Sequence, residues 1–308
     1  KVYAGIAEEL GKSMNVKTAA NLPSTKEQLL AEIADVDVLI MRVDPKIDKE
    51  ILDAAKNLKV IGVCSVGLNH IDMEYAKEKG IQIFNAPGLN ANAVAELTIS
   101  KMLDISRGTM TANYDVKVKH EWDKYKFVGR ELRGKTLGVM GFGRIGRRVG
   151  ELGRAFGMNI VAYDPYLKPE DFEKENAVGM GVEELLKVSD FVSIHVPLTD
   201  ETKNLFNAKS LEGMKDDAVV LNMSRGGIVN EKDMYEALKA GKIGGYATDV
   251  MENELAGGGL TGNDTFASPL FECDNFIVSP HIGAQSVGAS RDIGLHIISK
   301  VKEALSLA

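Results

Sequence analysis

Short runs of apolar residues alternate with amphipathic stretches along most of the chain. The runs are continuous rather than alternating, which is typical of strands covered on both faces in a parallel sheet. In the first part of the chain they predict strands at Asp37–Met41, Lys59–Val63 and Ile81–Phe84. The polar-apolar spacing between them predicts helices over Asp48–Lys56 and Met73–Lys79.

A strand is also predicted at the beginning, over Lys1–Gly5, with little room for a full helix between Gly5 and Val16. A second series of apolar runs predicts six further strands, separated by helix-like segments. These are Thr136–Met140, Asn159–Tyr163, Phe191–Ile194, Ala218–Leu221, Gly245–Thr248 and Phe276–Val278. Six parallel strands are what the two mononucleotide-binding halves of a dinucleotide domain require.

Two longer stretches are predicted to be helices. One runs from about Ala93 to Lys119 and is predicted to link two domains, and the other, Ser286–Leu305, closes the chain. The 308 residues are too many for one core of ordinary size, so two α/β domains are expected.

Composition narrows the class of protein. The residues are 44% hydrophobic, as in a globular protein. The net charge of −7 argues against a nucleic-acid or anionic-membrane partner, because it does not attract phosphate groups. The sequence contains no apolar run long enough to span a bilayer. Cys64 and Cys273 lie in separate apolar segments without metal-ligand spacing. We therefore expect no metal and a reducing, cytoplasmic location.

The segment Gly141-Phe-Gly-Arg-Ile-Gly146 follows a predicted strand and opens a predicted helix. In that context a GxGxxG motif predicts a dinucleotide turn. Gly141 permits the tight turn, Gly143 the approach of the pyrophosphate and Gly146 the close packing of helix on strand. The start of the helix favours the phosphate charge.

Asp164 ends the next predicted strand, about 20 residues after the turn. A carboxylate at this point accepts hydrogen bonds from the ribose hydroxyls and repels a 2′-phosphate. Pro165 and Tyr166 follow it, without an arginine that would favour NADP. The predicted cofactor is NAD.

Polar residues follow three later strands, where open α/β sheets bind their ligands. They are Arg225, Asp249 with Glu254, and His281. An imidazole that titrates near neutrality can exchange the proton of a substrate hydroxyl, and a neighbouring carboxylate raises its pKa and fixes the ring. A planar guanidinium suits the two oxygens of an α-hydroxy acid.

With these motifs the chain resembles the D-isomer-specific 2-hydroxyacid dehydrogenases over nearly its whole length. Within the family, phosphoglycerate dehydrogenases of the short form, without a regulatory domain, are the most similar. The matching segments are Asn85-Ala-Pro-Gly, Ala93-Val-Ala-Glu96, Trp122 to Gly129, Leu132-Arg-Gly-Lys-Thr-Leu-Gly, the glycine motif, His195-Val-Pro-Leu-Thr199, Ser224-Arg-Gly226 and Pro280-His-Ile-Gly283.

The resemblance implies two doubly wound parallel-sheet domains, with a Rossmann-type NAD domain inserted into a flavodoxin-like substrate domain. The expected boundaries are 1–98 and 285–308 for the substrate domain and 99–284 for the NAD domain. It also implies a homodimer, formed through the apolar surface of the linking helix, Ala93 to Lys119.

The same resemblance implies roles for individual residues. Arg225 binds the substrate carboxylate, His281 is the acid/base, and Glu254 holds its ring, with Glu252 as a possible substitute. The substrate-binding residues are Arg42, Val66, Gly67 and Arg225. The cofactor-binding residues are Gly141, Gly143, Arg144, Ile145, Gly146, Asp164, His195, Pro197 and Asp249, with His195 and Pro197 acting through the backbone of their turn.

The substrate stays open among several acids. Arg42 suggests a second anionic group, which makes 3-phosphoglycerate the leading candidate. D-Lactate, glycerate with hydroxypyruvate, and other 2-hydroxy acids are alternatives. A different class of function is also open: the chain could be a binding protein that senses NAD, like the co-repressors that share this fold. The family usually has proline after the glutamate, whereas here Leu255 follows, and then the glycine run Gly257–Gly259.

Overall fold

The computed structural model describes residues 2–19, 25–254 and 266–306. They fall into two compact units. The first comprises the described residues of Lys1–Asn90 and Ala284–Ala308, and the second those of Ala91–Glu254 and Phe266–Gly283. The chain thus leaves the first unit and returns to it at its end, and the second unit is inserted.

Both units are built from parallel strands and helices. The strands of the described chain are β1 Val38–Met41, β2 Val60–Val63, β3 Gln82–Phe84, β4 Thr136–Met140, β5 Asn159–Tyr163, β6 Val178–Gly179, β7 Phe191–Ile194, β8 Val219–Asn222, β9 Gly245–Thr248 and β10 Phe276–Val278. The α-helices are α1 Gly5–Leu10, α2 Lys26–Glu32, α3 Lys49–Ala54, α4 Met73–Glu78, α5 Ala91–Arg107, α6 Thr109–Tyr114, α7 Arg144–Ala155, α8 Pro169–Glu173, α9 Val182–Val188, α10 Ala208–Glu212, α11 Glu231–Lys239 and α12 Val287–Ala304.

In the first unit, the described strands form a parallel sheet in the order β1-β2-β3. Helices cover both of its faces, because successive strand residues point to opposite sides. Val60 belongs to a core cluster with Ile297 of α12, and Ile61 to another with Ile51 of α3. A Cβ at Gly62 would lie 2.6 Å from Ile297, so β2 needs glycine where α12 crosses it.

The predicted opening strand is wrong. The described residues of that segment before Gly5 belong to no strand, and the residues that follow, Gly5–Leu10, form the helix α1. Ile6 and Leu10 are buried against the cluster that contains α12. Their spacing of four residues places them on one face of a helix, and this packing stabilises α1.

In the second unit, the described strands form one parallel sheet of seven, in the order β10-β9-β8-β7-β4-β5-β6. The six predicted strands are confirmed, with β8 displaced by one residue. The additional strand is the short edge strand β6, whose two residues are exposed and too few to make an apolar run. The direction of winding reverses between β4 and β7, which is the switch point of a Rossmann fold.

The long linking helix is interrupted. Helix α5 ends at Arg107, and Gly108 has a left-handed backbone with φ of 62°. The N–H of Gly108 donates to the carbonyl of Asp104 at 2.8 Å, which closes the end of the helix. Helix α6 and a π-helical turn, Asp115–Lys119, then follow as separate elements. One glycine within an otherwise helical pattern was too weak a signal to predict the break.

Two further sequence expectations concern the cysteines and the membrane. Cys64 and Cys273 are both buried free thiols, and burial raises the pKa of Cys64 to about 11. Among the described helices, none combines the length and the apolar character that crossing a bilayer demands.

Candidate active site

The carboxyl ends of five neighbouring strands lie side by side in the second unit. The pairing register aligns Met140, Ile194, Asn222, Thr248 and Val278, which are the last residues of β4, β7, β8, β9 and β10. The segments that follow these strands therefore begin along one edge of the sheet. They carry the glycine turn, the His195 turn, the Arg225 turn, Asp249 and the His281 loop.

The glycine turn has the geometry that its sequence predicts. Gly141 has a φ of 88°, and a Cβ there would lie 2.8 Å from the carbonyl carbon and oxygen of His195. A Cβ at Gly146 would collide with the carbonyl oxygen of Gly141. Gly143 precedes α7, and a Cβ built on it meets no described atom within 4 Å. The open side of Gly143 and the start of α7 fit a pyrophosphate.

Asp164 follows β5 and is tied to the glycine turn. One carboxylate oxygen accepts the N–H of Phe142 at 3.0 Å, and the other accepts the N–H of Tyr166 at 3.1 Å. A cavity of about 450 Å³ lies beside it and is lined in part by Leu167 and Met180. Asp164 therefore also shapes the turn, a role that the sequence did not indicate.

His195 is unsuited to proton transfer near neutral pH. Burial lowers its pKa to about 3, and Nε2 hydrogen-bonds with Ser193 Oγ at 2.7 Å. Its backbone N–H donates to the carbonyl of Met140 at 2.7 Å, which holds the turn beside Gly141. This supports the expectation that the His195–Pro197 turn acts through its backbone.

Asn222 builds the turn that presents Arg225. Its buried side chain donates to the carbonyl of Arg225 at 2.9 Å and accepts from the N–H and the hydroxyl of Ser224, both at 3.1 Å. The guanidinium of Arg225 donates to the carbonyl of Ser224 at 2.7 Å. Sequence reasoning missed Asn222, and the available signal was an amide side chain at the end of an otherwise apolar strand.

Asp249 fixes the loop that follows β10. Its side chain is 2% exposed and accepts hydrogen bonds from the Ser279 hydroxyl, from the N–H of Ile282 at 2.9 Å and from the N–H of Gly283 at 2.7 Å. Both carboxylate oxygens are thus directed at this loop. Contact of Asp249 with the nicotinamide side of the site stays a prediction.

His281 lies in the middle of that loop with a left-handed backbone, φ 53°. Its backbone N–H donates to the carbonyl of Asp249 at 2.9 Å. The ring Nδ1 lies 3.0 Å from a carboxylate oxygen of Glu254, and half of the side chain is exposed. With Nδ1–H donating to Glu254, Nε2 is the ring atom left for a substrate.

The structure distinguishes between the two glutamates. Glu252 exchanges reciprocal hydrogen bonds with Glu231, with its N–H donating at 2.7 Å and its carboxylate accepting at 3.0 Å. Glu254 reaches His281 instead. The residues that depart from the family pattern, Leu255 and Gly257–Gly259, lie outside the described residues.

The first unit contains the other predicted substrate-binding residues. Arg42 is partly buried, and its guanidinium donates to the side chain of Gln285 at 2.6 Å. Asn85 donates to the carbonyl of Val66 at 2.7 Å, and the hydroxyl of Ser65 donates to the carbonyl of Gly67 at 3.0 Å. These two hydrogen bonds occupy the carbonyl oxygens of Val66 and Gly67.

Residues 99–283 match the model of the NAD-binding domain of the D-isomer-specific 2-hydroxyacid dehydrogenases. The chain belongs to this family. The predicted family and the NAD cofactor are thereby confirmed, and the parallel α/β fold agrees with them.

Relatives in this family carry several activities in their names. D-3-phosphoglycerate dehydrogenase of Methanocaldococcus jannaschii is 42% identical over 306 residues, which is 97% of this chain and 55% of that protein. Hydroxypyruvate reductase of Thermotoga maritima is 39% identical over 92% of this chain and 89% of its own length. The chain thus spans about half the length of the first of these relatives.

A solved structure supports the same fold class. D-Lactate dehydrogenase of Aquifex aeolicus, complexed with NAD and lactic acid, has 31% sequence identity and a TM-score of 0.80, and the match covers 98% of this chain and 92% of that one. The predicted fold class, two α/β domains with a Rossmann NAD domain, is confirmed.

The pairing of His281 with Glu254 sets the charge of the ring in this dehydrogenase family member. The hydrogen bond to Glu254 raises the pKa of His281, while burial and the nearby Arg225 oppose the change and Asp249 adds to it. At a given pH near neutrality, a larger fraction of the ring is therefore protonated than in an isolated histidine.

The variant Glu254→Gln is expected to lower that pKa, because an amide accepts the same hydrogen bond without the charge. If keto-acid reduction needs protonated His281, its rate falls as the pH rises through this pKa. In the variant the midpoint of the fall moves to a lower pH. The measurement is kcat/KM for reduction between about pH 5 and pH 9. Glu252→Gln is the matched control, and an unshifted profile for Glu254→Gln contradicts the assignment.

Proposed function

We propose that the protein is a dehydrogenase that interconverts a D-2-hydroxy acid and its 2-keto acid with NAD. The observation that carries this proposal is the His281–Glu254 pair. Arg225, Glu254 and His281 follow β8, β9 and β10, which are neighbouring strands of the sheet. An acid/base and a carboxylate-binding group are the two requirements of this chemistry beyond the cofactor. When bound, NAD would accept the hydride during oxidation of the acid, and NADH would supply it during reduction.

Three side chains are proposed to bind the substrate and to transfer the proton. Arg225 binds the carboxylate of the acid through its planar fork of N–H donors and polarises the adjacent carbonyl. His281 gives the proton of Nε2 to the carbonyl oxygen during reduction and takes it back from the hydroxyl during oxidation. Glu254 stabilises the imidazolium and keeps the ring oriented between these states.

The cofactor-binding role is proposed for the unit of Ala91–Glu254 and Phe266–Gly283. Backbone groups of the turn and the first helical residues, Gly141 to Gly146 with Arg144 and Ile145, would hold the pyrophosphate. Asp164 would accept the ribose hydroxyls, and the His195–Pro197 turn would line the dinucleotide. The open side of Gly143 and the bonds that hold Asp164 beside it support this assignment.

The proposed substrate is 3-phosphoglycerate, oxidised to 3-phosphohydroxypyruvate in serine biosynthesis. Two observations favour a substrate with a second anionic group: the positive charge of the half-buried Arg42 and the name of the M. jannaschii relative. In the first unit, the N–H groups of Val66 and Gly67 are proposed to contact the substrate carboxylate. The second candidate is hydroxypyruvate with D-glycerate, because the T. maritima relative matches along most of both chains.

A substrate panel tests this choice. NADH oxidation is measured with 3-phosphohydroxypyruvate, hydroxypyruvate, pyruvate and 2-oxoglutarate at equal concentration. The proposal predicts that the phosphorylated acid is preferred by at least about tenfold, equivalent to 1.4 kcal/mol of transition-state binding. Arg42→Gln should remove that preference while it leaves hydroxypyruvate reduction in place. Equal rates for the first two acids would show that the second anionic group is not recognised.

A homodimer is proposed from the surface that follows α5. Large apolar side chains are exposed there within one stretch of the chain: Met110, Tyr114, Val118, Trp122, Tyr125 and Val128. Such a concentration is typical of a protein-protein interface, and a second copy is the occupant that the resemblance implies. Light scattering at micromolar concentration should give twice the chain mass, and a monomer would contradict it. A cytoplasmic location is proposed from the two free, buried thiols.

A further inference from the structure

Helix α5 contains a lysine at a position of the core. Lys101 is 4% exposed, and the nearby helix residues Ile99 and Met102 belong to an apolar core cluster of the second unit. A buried ammonium is costly unless an opposite charge compensates it. The proposed chemistry of the site assigns no role to this charge.

The packing of α5 shows which part of the sheet Lys101 can reach. Near the start of α5, Val94 lies 3.3 Å from a Cβ built on Gly283, in the loop that carries His281. Near its end, Ile105 lies 2.5 Å from a Cβ built on Gly245, at the start of β9. The helix therefore runs antiparallel to β9, with its first turns beside the carboxyl end of that strand.

Lys101 lies between these two contacts, on the same side of the helix as Val94. Side chains on a helix point back toward its N-terminus, so the ammonium of Lys101 extends toward the carboxyl end of β9, where Asp249 begins the next segment. The carboxylates of Asp249 and Asp104 both interact electrostatically with it: burial lowers the pKa of Lys101, and the two carboxylates oppose that change.

Asp249 needs such a counter-charge. It is 2% exposed, and its three hydrogen bonds come from a hydroxyl and two backbone N–H groups, which carry no formal charge. Neutral donors stabilise a carboxylate but leave its charge buried in a medium of low polarity. Asp104 is partly exposed, and the Thr109 hydroxyl donates to it at the surface end of the helix. Of the two carboxylates, Asp249 is thus the one whose charge is buried.

We propose that Lys101 is a positioning residue, whose ammonium neutralises the buried carboxylate of Asp249 and so holds the loop that carries His281. Lys101 acts on Asp249 through its charge, and Asp249 in turn holds the loop by hydrogen bonds from the N–H groups of Ile282, Gly283 and His281. The effect on catalysis rests on the proposed function of His281, whereas the effect on the loop does not.

The test removes the charge of Lys101 while nearly keeping the volume of the side chain. Lys101→Met is expected to lower kcat at least tenfold and to leave the Kd for NADH within threefold. Hydrogen exchange of the Ile282 and Gly283 amides should become at least tenfold faster. Lys101→Arg should restore both values to within threefold of the original protein. Met102→Leu, at the adjacent buried position, is the matched control and should change neither.

A double-mutant cycle shows whether Lys101 acts through Asp249. If it does, Lys101→Met/Asp249→Asn should be no slower, and exchange no faster, than Asp249→Asn alone. Multiplicative effects, or unchanged exchange in Lys101→Met, would overturn the proposal. If Lys101→Met does not fold alone, recovery of folding in the double variant supports the coupling, and failure to recover contradicts it. The exchange measurement decides the matter even if the original protein shows no dehydrogenase activity, an outcome that would refute the proposed function instead.

Discussion

The variant His281→Asn is expected to lose about 10²- to 10⁴-fold in kcat while it binds NADH as tightly as the original protein. The imidazole is the proposed donor of the proton in reduction, and asparagine cannot replace it. Asparagine is the suitable replacement because His281 has a left-handed backbone, φ 53°, which asparagine adopts more readily than alanine. The loss then reports chemistry rather than a strained loop.

The matched control is His120→Asn. His120 is also exposed and also left-handed, with a φ of 58°, but it lies after α6, away in sequence from every strand end of the sheet. Its replacement should leave kcat unchanged. Steady-state rates and the fluorescence of bound NADH measure the two effects separately. A His281→Asn variant that keeps its turnover would show that another group transfers the proton.

The variant Arg225→Gln is expected to lose about 10³-fold in kcat/KM, the scale on which removal of a preorganised donor acts. The guanidinium is proposed to bind the substrate carboxylate and to stabilise the charge that develops on the carbonyl oxygen. Glutamine keeps hydrogen-bond donors but has neither the charge nor the planar fork. Because Asn222 contacts the backbone of Arg225 rather than its side chain, the turn should survive the substitution.

Arg225→Lys separates charge from geometry. Lysine keeps the positive charge but cannot make the paired hydrogen bonds to a carboxylate, so it should recover only part of the loss. Arg133→Gln removes a guanidinium that is 82% exposed and controls for the change in net charge. Full activity in Arg225→Lys would mean that only the charge matters, and full activity in Arg225→Gln would exclude Arg225 from the site.

The parallel sheets were predictable because their strands are covered on both faces. A short, continuous apolar run such as Phe191–Ile194 fits a buried strand better than a helix, which needs a longer segment. The glycine turn was predictable for a different reason. Gly141 and Gly146 are required by backbone conformation and close approach, which no other residue satisfies. In both cases a local property of the chain determines the structure.

Features that depend on tertiary contacts were not predictable. Gly5–Leu10 is a helix because it packs on the cluster of α12, far away in sequence. Spacing from Asp249 favoured Glu254 over Glu252, but it could not reveal the bond to Glu231 that occupies the carboxylate of Glu252. Asn222 and Lys101 were missed because a polar residue in an apolar segment acquires meaning only through the buried group that it faces.

The central claim is that Arg225 and His281 act on the same bound acid. A crystal structure of the protein with NAD and a D-2-hydroxy acid tests it most directly. We predict the carboxylate of the acid within hydrogen-bond distance of the Arg225 guanidinium and its hydroxyl within hydrogen-bond distance of His281 Nε2. An acid bound away from both side chains, or held by Arg225 while the ring of His281 faces elsewhere, would contradict the account.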